Sequence, residues 1–342
     1  MAEKYVISKE RSFFIKGIAI LFMLLHHAFT FPDWIVPGLP FHLSAVVSGY
    51  LQEPLKLCVG LFAFISGWAY ALRPHTLRST WQSIRRFLLS YWLVAIPVLA
   101  FAALFCGYVP TVKSVLLELF GLKNEVMLFC WYVAFYICSL FLLLGIRRWL
   151  DKGILPGLIV GIILPIGVFM GCEKLVSGRY PLEFFQHLKH WFPCITAGYL
   201  CSRYDLFGRL PPVRSKALRF LLAVLALFVC GVLRRRITAL DFVYAPILVY
   251  SLSRPIREKC GPLTKAFVFL GRLSTNLWFL HCLFFSEFTR PLFQPLAYIS
   301  PCGAVCFAML LLELLPFAWA FTKLDQRINA AIEKNHKIKS PS

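Results

Sequence analysis

The chain has 342 residues, 59% of them hydrophobic and only 15% charged, with a mean hydropathy of +0.71. Soluble domains carry about 25% charged residues, so a string of water-soluble domains is excluded and a polytopic helical membrane protein is indicated. The net charge is +20, yet the basic residues gather in short loops between apolar runs, which is a topology signal rather than a nucleic-acid interface.

Ten apolar spans are expected, near 13–31, 57–72, 87–107, 127–146, 154–172, 184–201, 217–233, 239–253, 267–288 and 297–320. They define an all-α, polytopic transmembrane bundle that fills 1–342 as a single domain. Residues 323–342 are read as a basic cytoplasmic tail. The second and eighth spans are shorter than the ~20 residues that cross a bilayer comfortably. The N-terminus has the basic start and apolar run of a signal peptide. No small-residue cleavage site follows, so it is read as an uncleaved first span.

The loops fall into two alternating sets, with 25 Lys and Arg in one and 10 in the other. The richer set is cytoplasmic, which places both termini inside. Anionic lipid head groups, or an anionic cytosolic cofactor, are the natural partners of that charge. Arg234-Arg235-Arg236 falls in the poorer set. Either the neighbouring span boundaries are displaced and the triplet tolerated, or it binds an anionic group outside. The twelve cysteines mostly lie in apolar runs and show no paired metal spacing, so neither a disulfide framework nor a zinc site is read.

Along the chain, the first distinctive stretch runs from Lys16 to His27. Eleven residues at ~100° each put both side chains on one helix face, about 16 Å apart along the axis. With Lys16 at the inner interface, His27 lies near the midplane, where a titratable group is a functional candidate by default. His26 points away from that face. Leu61–Trp68 contains Ser66-Gly67, a small pair that lets another backbone come close. Arg85 and Arg86 form a basic foot under the third span, read either as topology or as a phosphate clamp. Trp131-Tyr132 with Tyr136 is either an interfacial belt or a stacking platform.

Late in the chain, Arg272, Ser274, Thr275 and Asn276 with His281 make one span too polar to face lipid. His281 is nine residues, about 13 Å, beyond Arg272, which predicts the same depth as His27 and a shared cavity. Glu183, His187 and His190 share a face, but with Lys189 between them they read as an outer polar rim, and no metal is predicted. Asp241 and Glu313 fall in apolar runs and are expected to pair with nearby basic groups.

Together, Lys16–His27, Leu61–Trp68, Arg85-Arg86, Trp131-Tyr132 and Gly271–His281 resemble acyltransferase family 3, integral membrane O-acyltransferases of bacterial surface glycans. The family's Arg-Gly-Ile-Ala followed by a histidine is met by Lys16 and His27. Its Leu-Phe-Phe-x-x-Ser-Gly is met by Leu61…Ser66-Gly67, and its late Leu-Gly-Lys-x-Ser…His by Leu270-Gly271-Arg272-Leu273-Ser274…His281. Lys16 keeps the charge of the family arginine but lacks its bidentate fork.

The resemblance implies an acyl donor, acetyl-CoA, arriving from the cytoplasm, and an acceptor hydroxyl on a surface or lipid-linked sugar. The expected function is O-acyl transfer in the bacterial plasma membrane. His27 serves as base or acyl carrier, with His281 as the second catalytic imidazole. Lys16, Arg85 and Arg86 would hold the cofactor phosphates. His26, Ser66, Trp131, Tyr132, Arg272, Ser274 and Asn276 would line the cavity. A glycan or acyl-group flippase using the histidines as a proton relay is the rival reading.

Overall fold

A computed structural model describes residues 5–176, 182–211, 213, 215–254 and 261–339, the last seven as backbone only. Lys4, Arg179, Arg214, Arg257 and Lys259, which entered the loop counts, lie outside the described residues. The described residues form helices and contain no strand.

In chain order the helices are α1 (Lys9–Phe29), α2 (Ala45–Leu55), α3 (Leu57–Ala71), α4 (Leu77–Phe105) and α5 (Val112–Leu119). Then come α6 (Trp131–Leu150), α7 (Ile154–Leu158), a π-helical turn at Ile159–Ile163, α8 (Leu164–Leu175) and α9 (Leu182–Arg203). The chain closes with α10 (Lys216–Arg234), α11 (Asp241–Ser253), α12 (Pro262–Leu280), α13 (Arg290–Ala297) and α14 (Gly303–Lys339).

Eight helical segments among the described residues are long and apolar enough to cross a membrane. The expected sixth and eighth spans are helices that miss this standard for different reasons. α11 is too short. α9 carries Glu183, Gln186, His187, Lys189 and His190, but its residues 191–200 are all buried. A helix enclosed by neighbours does not need an apolar exterior.

Several boundaries differ from the sequence reading. α1 begins at Lys9, where the Ser8 hydroxyl caps the Arg11 amide at 3.3 Å. Lys16 is therefore seven residues inside the helix. Counted from Lys9, His27 stands about 27 Å along the axis. The short second span is the second part of a 27-residue segment, Ala45–Ala71. α4 starts ten residues earlier than expected. α14 runs unbroken from Gly303 to Lys339, so the basic tail continues the last helix.

The chain divides into two compact units. The first comprises the residues up to Thr30, Ala45–Thr80 and Phe135–Arg272; the second comprises Phe31–Ser44, Trp81–Ala134 and the residues from Leu273 onward. The first unit is organised on the α3–α9 crossing. A side chain at Gly67 would strike the carbonyl of Ile195, and one at Gly198 would strike the carbonyl of Phe64. Small residues on both helices thus bring two backbones together.

Candidate active site

In the first unit, α1 is continuous, so Lys16 and His27 do share a face. Gly17 and Gly271 set how α1 meets the first half of α12. A side chain at Gly17 would strike the Phe267 carbonyl, and one at Gly271 the Phe13 carbonyl. Their neighbours Lys16 and Arg272 are consequently carried to the rim of one crossing. Lys16 is half-buried and Arg272 exposed. The Arg272 guanidinium stands 5.8 Å from the centre of the Phe13 ring. Arg73, which the sequence reading passed over, lies close enough to Lys16 to act on it electrostatically. Lys16 has no ion pair among the described residues. A half-buried cation with a second cation acting on it is a place that an anion would stabilise.

At the far end of α1, His26 and His27 are buried with their rings 5.1 Å apart. The Thr30 hydroxyl donates to the His26 carbonyl at 2.6 Å and lies 3.2 Å from His26 Nδ1. Ser48 of α2 donates to the Thr30 carbonyl at 2.8 Å. The last turn of α1 is thereby tied to α2, and the pair of imidazoles is held with it. Ser66 donates to the Phe62 carbonyl at 2.8 Å, one turn back in its own helix, a common resting place for a helical serine.

Arg234 is not free to meet an outside anion, and the helix ends around it fall where the sequence placed them. It is buried, and forks onto Asp241 at 2.8 and 3.0 Å. It also bonds the Glu53 carboxylate, and the Glu53 carbonyl at 2.7 Å. Asp241 has the basic partner expected of it. Arg235 and Arg236 are exposed, with Arg235 stacked 4.0 Å over Tyr50. On α9, His190 Nδ1 engages the Gln186 carbonyl at 2.8 Å, and Lys189 pairs with Glu173 at 2.6 Å. Among the described residues no three His, Cys, Asp or Glu side chains are grouped to hold a metal.

In the second unit, Arg85 is half-buried and Arg86 exposed on the first turns of α4. Tyr132 is buried at the start of α6, its ring 4.8 Å from that of Trp278, with Trp131 half-buried beside it. Ser274 and Asn276 are buried. The Asn276 amide donates to Thr322 of α14 at 2.8 Å, while its Oδ1 is buried without a partner among the described residues.

His281 is fully buried in a 3₁₀ turn that follows α12. Its Nδ1 meets the Trp278 carbonyl. A carbonyl only accepts, so Nδ1 carries the proton and the lone pair of the neutral ring lies on Nε2. The imidazole stacks on Phe129, centroids 5.3 Å apart and planes inclined by 16°. Phe129 was not singled out in the sequence. The one available signal, an aromatic two residues before Trp131, is too common to stand out. His27 belongs to the first unit and His281 to the second.

With this geometry in place, the family profile described as an acyltransferase domain matches residues 14–318. The chain belongs to acyltransferase family 3. No curated protein and no solved structure matches it. The matched region starts two residues before Lys16 and contains every candidate residue named above, leaving out the basic end of α14. This acyltransferase is accordingly a membrane-helical enzyme, built from apolar helices that carry a small set of polar side chains.

Proposed function

We propose that the enzyme transfers an acetyl group from acetyl-CoA to a hydroxyl of a cell-surface or lipid-linked glycan in the bacterial plasma membrane. The observation that carries this reading is the single face of α1. It presents Lys16, half-buried beside Arg73 and Arg272, and eleven residues later the buried His27. Lys16 meets the cofactor phosphates, Arg73 and Arg272 add to the charge around it, and Arg85 and Arg86 are the second unit's candidates for the same role. These residues suit a polyanionic donor, because Lys16 lacks an acidic partner among the described residues. The positive-inside bias puts both termini in the cytoplasm, where acetyl-CoA is made.

A sugar hydroxyl is a weak nucleophile. His27 takes its proton as the oxygen forms a bond to the thioester carbonyl; the carbon–sulfur bond breaks and CoA leaves as the thiol. A base of this kind contributes roughly 10²–10⁴-fold. In the other form of the reaction, a His27 nitrogen receives the acetyl group first and passes it to the sugar. His281 is the second imidazole. In this reading His26 and Ser66 serve with His27 in the first unit, and Trp131, Tyr132, Ser274 and Asn276 with His281 in the second.

The test is mass spectrometry of surface glycans from cells carrying wild-type or His27→Ala enzyme at equal membrane abundance. A difference of one acetyl unit is expected, present only with wild type. Quenching the enzyme with labelled acetyl-CoA and no acceptor separates the two roles of His27. Label bound to protein marks the carrier; its absence marks the base.

A further inference from the structure

Glu118, at the end of α5, is fully buried. Its carboxylate accepts three successive backbone N–H groups of the turn before α6. Oε1 takes those of Glu125 and Val126 at 2.6 and 3.0 Å, and Oε2 takes that of Met127 at 3.2 Å. Burial pushes this carboxyl up from its usual range, and the three amides pull against that rise. Hydrogen bonds to an ionised acceptor are the strong kind. Ser286 fastens the same turn from the other side by donating to the Glu125 carbonyl at 2.9 Å.

Two residues after Met127, Phe129 has φ +69°, a left-handed backbone that bulky residues avoid. Such a conformation persists only where the surroundings over-determine it. Here they do. The Trp278 indole donates to the Phe129 carbonyl at 3.2 Å. The Phe129 ring lies flat on His281, with Trp34 5.4 Å away. Trp278 is also the residue whose carbonyl fixes His281 Nδ1. The strained turn therefore sets the face of one imidazole, and the residue it holds, Trp278, supplies the carbonyl that meets Nδ1.

We propose that Glu118 is a positioning residue for His281, acting through the 125–129 turn that lays Phe129 on the imidazole. That this position serves acetyl transfer rests on the proposed function; the positioning itself does not. The test uses the purified full-length protein and diethyl pyrocarbonate, which attacks an accessible imidazole lone pair. Labelling of each histidine is followed by peptide mass spectrometry.

In wild type His281 labels slowly. In Glu118→Ala its rate rises about tenfold, as for a segment that opens locally, while His75 and His190 keep their wild-type rates. Phe129→Ala behaves likewise, and Phe129→Tyr, which keeps the ring, restores protection. Glu118→Gln retains the Oε1 acceptor, gives an intermediate rate, and decides the matter by the same criterion if Glu118→Ala does not fold. An unchanged His281 rate, or a rise shared equally by His75 and His190 in Glu118→Gln, overturns the proposal. In the selectively opened variants, kcat for acetyl transfer falls and KM for acetyl-CoA holds. Unaltered transfer with selectively exposed His281 supports the positioning and removes His281 from the reaction.

Discussion

Arg234 sits where positive charge is least expected, and the protein consumes that charge internally. Its fork on Asp241 is almost completely buried, with side-chain exposures of 3% and 1%. Breaking one side of such a pair strands a charge, at a cost of about 3–5 kcal/mol, whereas replacing both sides with apolar groups is often neutral. Arg234→Met should therefore lower the melting temperature in detergent sharply, and Arg234→Met with Asp241→Leu should recover most of it. A single variant that melts like wild type contradicts this account. A second residue-scale test concerns Asp151, in the loop after α6. Burial pushes its carboxyl up, but the Tyr199 hydroxyl at 2.8 Å, with Arg203 and Arg147, outweighs that and holds it below the ordinary carboxylate value of 3.8. A depressed carboxyl stabilises the fold above its unfolded value and loses that contribution as pH falls through the folded one. Thermal stability of wild type should thus fall faster than that of Asp151→Asn below pH 3.8. Parallel curves rule the idea out.

Among the elements, the glycines at helix crossings carry the sharpest expectations. Gly17→Ala and Gly198→Ala drive a methyl group into the Phe267 and Phe64 carbonyls. Overpacking of this kind typically costs 1–3 kcal/mol, roughly, and here it also spreads the helices. Gly145, inside α6, has open space around it, and alanine there should hold or gain up to about 1 kcal/mol from helix propensity. Thermal denaturation of the three variants checks the contrast. Equal effects at all three positions would mean that the crossings are looser than described. The sequence made part of this legible. A Ser-Gly pair in an aromatic span announced a close approach, because only a missing side chain permits one. The backbones that Gly17 and Gly271 admit belong to distant stretches of the chain, so neither close approach shows in the local sequence. The start of α1 lies ahead of the apolar run, because Ser8, Lys9, Glu10 and Arg11 supply its polar first turn.

For the whole molecule, composition alone was enough to recognise a membrane bundle, since 59% hydrophobic residues with 15% charged leave no soluble alternative. Partners far apart in the chain were not legible. Glu53 and Arg234 are separated by 181 residues, and nothing local in either marks the other. Glu118 likewise gathers the amides of Glu125, Val126 and Met127, and nothing local to it in the sequence marks them. The inward placement of both termini is open to a direct check. A C-terminal green fluorescent protein, which matures only in the cytoplasm, should fluoresce in intact cells; a dark fusion at normal abundance reverses the topology. The central claim is that an imidazole on α1 moves an acyl group from a cytosolic thioester to a sugar. Mass spectrometry of surface glycans tests it most directly, with wild-type and His27→Ala enzymes matched in the membrane. The account predicts acetylated glycan from the first and none from the second. Full acetylation by the alanine enzyme would contradict it.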